Sequence, residues 1–143
     1  MAKVTGLAQT TLSVGDASNA LQAIINDITS WQMATPRGVQ DVTGLDKSAI
    51  ERLLLLADYS LTLNMVFNPA SNAQHDVFKT VPSTSVNRAV ALTTNGKSLN
   101  MGTAGAGTGA VLFTDYQLAR SQAGELTAVA PGVLGNGSVP TWS

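Results

Sequence analysis

The sequence predicts a mainly β fold, a sandwich or small barrel of short strands with a short helix over one face or edge. Three observations carry this. Residues 59–68 alternate apolar and polar side chains except at Val66, the signature of a half-buried strand. Asn95-Gly96 separates two further alternating runs, and Asn-Gly is a strong hairpin turn. Stretches with helical spacing are few and short.

Residues 1–14 read as extended and end in a Gly15-Asp16 turn. In residues 20–33, Leu21, Ile24, Ile25, Ile28 and Trp31 have helical spacing. The β-branched density and the Trp tilt that stretch to strand. Pro36, Gly38 and Gly44 make residues 34–44 a loop with a short extended piece at Val39–Thr43. Asp46 then suits the cap of a helical turn through Ala49, Glu51 and Leu54. Residues 33–57 as a whole are therefore expected to be a long loop.

Tyr59–Asn68 is the clearest strand. Tyr59, Leu61, Leu63, Met65 and Phe67 form one face, and Ser60, Thr62 and Asn64 the other. Asn68-Pro69 stops it. Ser71 or Asn72 caps a helix of about two turns whose stripe is Ala73, Val77, Phe78 and Val81, closed by Pro82. Val86, Arg88, Val90 and Leu92 alternate along the next strand, and Lys97–Thr103 returns as its hairpin partner. The glycines of residues 102–109 mark a mobile loop or a tight connection. Ala110–Arg120 reads as a long strand, Gly124 as a break and Glu125–Ala130 as the last strand. Residues 131–143 form an extended Gly/Pro/Ser-rich tail, in which Trp142 is expected to dock on the body. The whole is one domain of 143 residues, with residues 1–15 as an N-terminal arm.

Charge is scarce: 12% of residues carry it and the net charge is -1. That balance argues against a basic stripe for phosphate binding and against a polybasic membrane anchor. The 44% hydrophobic content argues against disorder. So weakly charged a surface suits a chain covered by partner subunits. With no cysteine and one histidine, His75, the chain cannot build a disulfide, a thiolate metal site or a multi-histidine zinc site. No secretory signal is expected at the start, and the longest aliphatic run, Leu53–Ala57, is too short to span a membrane.

The formal chemical motifs fail in context. Gly105, Gly107 and Ala110 spell a dinucleotide fingerprint, but a strand rather than a helix follows. Gly96-Lys97-Ser98 has Ala91 where a P-loop needs its first glycine. His75-Asp76 reads as a capping or surface pair, and no nucleophile–base–orienter set is present. No cofactor or metal is expected, and no enzymatic activity.

The order of several segments resembles the major tail tube proteins of long, non-contractile-tailed bacteriophages. These are Asp41-Val42-Thr43-Gly44-Leu45-Asp46, Ala49 to Leu56, Asp58-Tyr59-Ser60-Leu61, Phe67-Asn68-Pro69 and Gln74-His75-Asp76-Val77-Phe78. Tyr116-Gln117-Leu118, Gly124-Glu125-Leu126 and Pro140-Thr141-Trp142 continue it. The likeness spans roughly residues 20–143, and the Gly102–Gly109 loop departs from the family pattern.

The resemblance implies two packed antiparallel sheets forming a barrel-like sandwich flanked by a short α-helix. It implies hexameric rings stacked into a tube in the virion tail, made in the bacterial host cytoplasm. Its partners would be further copies of itself, the tape-measure protein, the tail terminator and tail-tip proteins. Double-stranded DNA would pass through, and no membrane is involved. Ser60, Thr62 and Asn64 would then face the lumen. Asp41, Asp46, Lys47, Glu51, Arg52 and Asp58 would lie in an inter-subunit loop. The competing reading is a non-catalytic β-sandwich binding or capsid-decoration module. Sugar-binding faces display exposed aromatics, however, and only 5% of this chain is aromatic.

Overall fold

The computed structural model describes residues 11–143. The strands are β1 Thr11–Gly15, β2 Leu21–Ala23, β3 Ile28–Ala34, β4 Arg37–Asp41, β5 Arg52–Ala57 and β6 Ser60–Val66. The one α-helix among the described residues, α1 Gln74–Phe78, precedes β7 Val90–Thr94, β8 Lys97–Met101, β9 Val111–Phe113, β10 Gln117–Arg120 and β11 Leu126–Leu134. One sheet has the order β2-β1-β7-β8 and the other β10-β11-β6-β3, with β9 also on β11. β4 and β5 pair only with each other. Every pairing is antiparallel.

The inner residues of the two large sheets make one core. Leu12 and Val14 of β1, Val90 and Leu92 of β7, and Leu99 and Met101 of β8 are buried with Leu61, Leu63 and Met65 of β6 and Ala128 and Ala130 of β11. α1 adds Val77 and Phe78, and the Phe78 ring meets Phe113 edge-on at 5.1 Å between centroids. Such edge-to-face pairs add about 0.5–1.5 kcal/mol beyond burial. The fold is thus the expected one: mainly β, two packed antiparallel sheets and one short helix.

Several element boundaries differ from the sequence reading. Residues 11–15 are not an arm but a central strand, β1, bonded to β2 and β7; residues 1–10 of that expectation lie outside the described ones. Residues 20–33 are strand, as leaned towards, but broken by a 3-10 turn at Ile25–Asp27. The helical turn expected after Asp46 is absent. Leu53–Ala57 lies in strand β5, and residues 37–57 form a β-hairpin rather than a loop. A run of leucines has no period of its own, so the pairing with β4 decided the outcome.

The single strand expected at Ala110–Arg120 is two, β9 and β10, and β11 runs on through Pro131 to Leu134. These two departures share a cause. In an antiparallel strand the N and the carbonyl of one residue point to the same neighbour. The Pro131 carbonyl accepts from Thr114 N at 3.1 Å, so its nitrogen faces the gap between β9 and β10. Proline has no donor to satisfy there. The strand therefore continues, while the facing chain leaves the ladder at Thr114–Tyr116.

The Asn95-Gly96 hairpin forms as read, with φ of 49° and 79°, the positive pair of a type I′ turn. The Gly102–Gly109 segment is a tight connection. A bridge joins Gly102 to Gly109. The buried Asn19 amide donates to the carbonyls of Thr103 at 2.9 Å and Gly105 at 2.7 Å. Gly109 itself has no room for a side chain, since a Cβ there would meet Asn87 backbone atoms at 2.2–2.6 Å from the carbonyl outwards to Arg88 N. Trp142 bridges to Leu99 on the edge of β8 but stays half exposed.

Candidate assembly surfaces

The pairing register of the five-stranded sheet sorts its side chains between core and outside. Leu61, Leu63 and Met65 of β6 are buried, so Ser60, Thr62 and Asn64 point outward together. Their β3 partners are Ala34, Gln32 and Ser30, and their β11 partners are Val133, Pro131 and Val129. Gln117 and Ala119 of β10 continue the same face beyond Val129 and Thr127. These outward residues are small, neutral and partly bonded among themselves. Asn64 Nδ2 donates to Ser30 Oγ at 3.0 Å, and Thr29 Oγ1 donates to the Asn64 carbonyl at 3.0 Å. The three β6 residues singled out in the sequence therefore share one continuous face of neutral residues, with the Asp115 carboxylate at its β10 end accepting from Gln117 Nε2 at 2.8 Å.

The second surface is the β4–β5 hairpin, which carries all six residues expected in an inter-subunit loop. Asp41 sits opposite Arg52 in the ladder. Asp46 and Lys47 lie in the connecting turn, where Lys47 pairs with Glu51 at 3.6 Å. Asp58 is at the root, its amide donating to the Pro36 carbonyl at 2.9 Å and its Oδ1 accepting from Tyr59 N at 2.7 Å. Asp41 is held below the ordinary carboxylate range, first by the Thr43 hydroxyl and then by the Thr43 amide. All six are exposed, and exposed ion pairs contribute little to stability.

The sequence reading missed the more telling feature of this hairpin, which is its apolar surface. Val39 and Leu54 pair on one side of the ribbon and Leu53 lies with Leu55 on the other. Leu53, Leu54 and Leu55 are 45–60% exposed, and Leu56 is 90% exposed. A ribbon apolar on both sides with neither side covered is a large departure from a normal monomer surface. The signal was in the sequence as a leucine run flanked by charges, but a helix reading hid its two-sidedness. Between the hairpin root and Val139–Pro140 lies an open groove of about 1080 Å³, lined also by Pro36, Arg37 and Leu56.

A third cluster surrounds α1. His75 Nδ1 lies 3.0 Å from the Tyr116 hydroxyl, and its ring packs on Phe67 at 4.7 Å. Gln74 Nε2 also donates to that hydroxyl at 2.7 Å. Asp76 turns away to Lys79 at 2.6 Å and to the Asn72 amide, and both hold it below its ordinary value, Lys79 more strongly. His75 and Asp76 thus serve separate structural contacts and form no acid–base pair. Among the described residues no group of three or more His, Asp or Glu could hold a metal ion. No helix among them is long and apolar enough to cross a membrane.

Arg88 is a residue the sequence reading placed on a strand face without drawing the consequence. It is 1% exposed. Its guanidinium donates to the carbonyls of Val77 and Gly15 and, at 3.0 Å, to Thr80 Oγ1. Burial pulls its pKa down, and Asp16 partly offsets this. The residue ties α1 to the end of β1.

No protein-family model matches the chain, and no curated protein does. Solved structures do. A chain in the tail of an empty gene transfer agent particle, determined with C6 symmetry, superposes with a TM-score of 0.73 at 14% identity, over 99% of both chains. A chain in the virion of a native gene transfer agent particle gives 0.66 at 14% identity, over 95% of this chain and 99% of that one. At such identity the likeness speaks for the fold, and across its length this chain has the fold of the tail and virion chains of gene transfer agent particles.

Proposed function

We propose that this chain is a structural virion protein, the subunit of a phage-like tail tube, which stacks as hexameric rings into a conduit for the genome. The observation that carries the reading is the β4–β5 hairpin, apolar on both sides and uncovered, on a sandwich of the tail-protein fold. Burying apolar area contributes about 25 cal/mol per Å². A neighbouring copy is the covering surface most consistent with a chain of near-zero net charge. In this reading Asp41, Asp46, Lys47, Glu51, Arg52 and Asp58 surround the apolar contact and fix its register. Ser60, Thr62 and Asn64 face the channel. The C6 symmetry of the matched gene transfer agent tail supports six copies per ring.

A ring of this kind is a head-to-tail interface, closed by its rotation per subunit. It also pairs or covers the open sheet edges at β3 and β10, which would otherwise invite uncontrolled aggregation. The tape-measure protein during assembly, terminator and tip proteins at the tube ends, and DNA in transit are the partners this role requires. The reading needs no cofactor and no catalytic group. Removing the apolar hairpin surface tests it. Leu54→Glu with Leu56→Glu should leave a folded monomer that no longer polymerises, and unimpaired polymerisation would count against the reading.

A further inference from the structure

We propose that Asn136 is a self-modifying residue: the Gly137 backbone nitrogen attacks its side-chain amide, converts it to aspartate or isoaspartate, and so releases the C-terminal tail from β8. The inference does not rest on the tube reading. The chain holds two Asn-Gly pairs, Asn95-Gly96 and Asn136-Gly137, and a glycine leaves the attacking nitrogen least crowded. The structure separates the two. Asn95 sits in the β7–β8 hairpin turn at a φ of 49°, closed by the Thr94–Lys97 pair. Forming a five-membered ring there means turning the Asn95-Gly96 peptide plane against that pairing. Asn136 belongs to no strand, and its Oδ1 accepts from the Ser138 amide at 2.9 Å. The ring closed by this bond contains the Gly137 nitrogen and keeps Cγ folded back towards it. Asn136, Gly137 and Ser138 are all exposed, and a Cβ on Gly137 would meet nothing within 4 Å, so water reaches the nitrogen.

The same bond suits the chemistry. A solvent base takes the Gly137 amide proton and the nitrogen adds to Asn136 Cγ. Negative charge then develops on Oδ1, the oxygen at which the Ser138 N–H is already aimed. The Cγ–Nδ2 bond breaks, and ammonia leaves with a proton from water. The resulting succinimide takes up one water, which opens either of its two C–N bonds to give aspartate or isoaspartate, with no change of oxidation state. Asn68 is the internal comparison. Its Oδ1 accepts from the Ala70 amide at 3.1 Å in the same way, but the nitrogen between them is that of Pro69, which has no proton to give up. Asn136 joins the aimed donor to a free glycine nitrogen. No residue after Glu125 has a charged side chain, so the product carboxylate introduces charge into a neutral tail. Isoaspartate also routes the main chain through Cβ and lengthens it by one carbon between β11 and the docked end. That end is held where Ser143 N donates to the Ser98 carbonyl at 2.9 Å and Ser98 N to the Ser143 carbonyl at 3.2 Å. Lengthened and charged, the tail loses this pairing with the edge of β8.

The test ages the full chain in neutral buffer and follows both Asn-Gly pairs by peptide mass spectrometry. In the folded chain Asn136 should exchange ammonia for water on the order of tenfold faster than Asn95, and in denaturing urea the two rates should converge. Ser138→Pro removes the donor and keeps the Asn-Gly pair, and it should slow Asn136 about fivefold, the effect of one net hydrogen bond. In the modified fraction, separated by anion exchange, the Ser98 amide should exchange its hydrogen faster than in the unmodified chain. Asn136→Gln, whose longer side chain closes the ring poorly, should keep that amide protected throughout ageing. Equal rates at Asn95 and Asn136 in the folded chain, or an Asn136 that stays unmodified, would overturn the site. An unslowed Ser138→Pro would overturn the role of the aimed amide. Unchanged Ser98 exchange in the modified fraction would overturn the release of the tail.

Discussion

Arg88 puts a full positive charge where no carboxylate touches it. Three neutral acceptors, the Gly15 and Val77 carbonyls and the Thr80 hydroxyl, accept its N–H hydrogen bonds instead. Removing the guanidinium leaves those carbonyls unsatisfied in the interior, at about 1–3 kcal/mol each. Arg88→Leu should therefore lower unfolding stability by about 2–4 kcal/mol in a urea titration. A loss below about 0.5 kcal/mol would show that the carbonyls find other partners. A second residue-scale prediction concerns alkali. Burial raises the Tyr59 hydroxyl above its ordinary 10, and raises Tyr116 as well, the latter partly offset by Gln74. The unfolded chain then gives up these protons near pH 10 while the folded chain keeps them. Stability is complete below that pH and falls as pH rises beyond it. Tyr59→Phe, which keeps the ring, should flatten that decline in a pH series of thermal melts. An unchanged slope would assign the decline elsewhere. At this scale the sequence was informative about β6, because strict alternation names the buried and exposed members. It was silent about Arg88, since an arginine on an apolar face carries no mark of what will accept its hydrogen bonds.

At the scale of the element, the two ways the sequence misled have one origin: strand pairing is not a local property. Leu53–Ala57 has no alternation, so neither period identifies it, and only its ladder with Arg37–Asp41 makes it a strand. Pro131 looked like a terminator, yet it lies where its missing donor faces a gap between β9 and β10. The Asn95-Gly96 hairpin and the helix at Gln74–Phe78 were legible because a turn and a short apolar stripe carry their own signals. The candidate site was half legible. The charges of the hairpin were picked out, whereas its apolar surface, the stronger driver of association, was folded into a helix that does not form. The hairpin makes no ladder with either large sheet, so its changes should act on assembly rather than on folding. Asp58→Lys and Glu51→Lys should impair polymerisation, read by light scattering, with thermal melting shifted by less than about 4 °C. Gly109→Ala should do the reverse. A methyl there meets the Asn87 backbone, so it should lower the melting temperature by several degrees before any effect on assembly is seen. If the charge reversals unfold the chain, or leave polymerisation intact, the hairpin is not the contact.

For the whole molecule, composition narrowed the possibilities before any element was placed. No cysteine, one histidine and very little charge left few chemistries open, and the order of short segments pointed to tail tube proteins. The superposition on gene transfer agent tail chains, at 14% identity over nearly the full length, shows why single motifs were weak. The architecture persists through alternation and pairing, which tolerate almost any residue of the right polarity. Two large sheets bury a shared core, a neutral face looks outward from one of them, and an apolar ribbon projects without a partner. A monomer in isolation leaves that ribbon in water, and the proposed stacked ring would cover it. The most direct measurement is electron microscopy of the purified chain at rising concentration. The account predicts hollow tubes with six subunits per ring, joined through the β4–β5 hairpin. A closed oligomer that does not stack, such as a trimer, would contradict it.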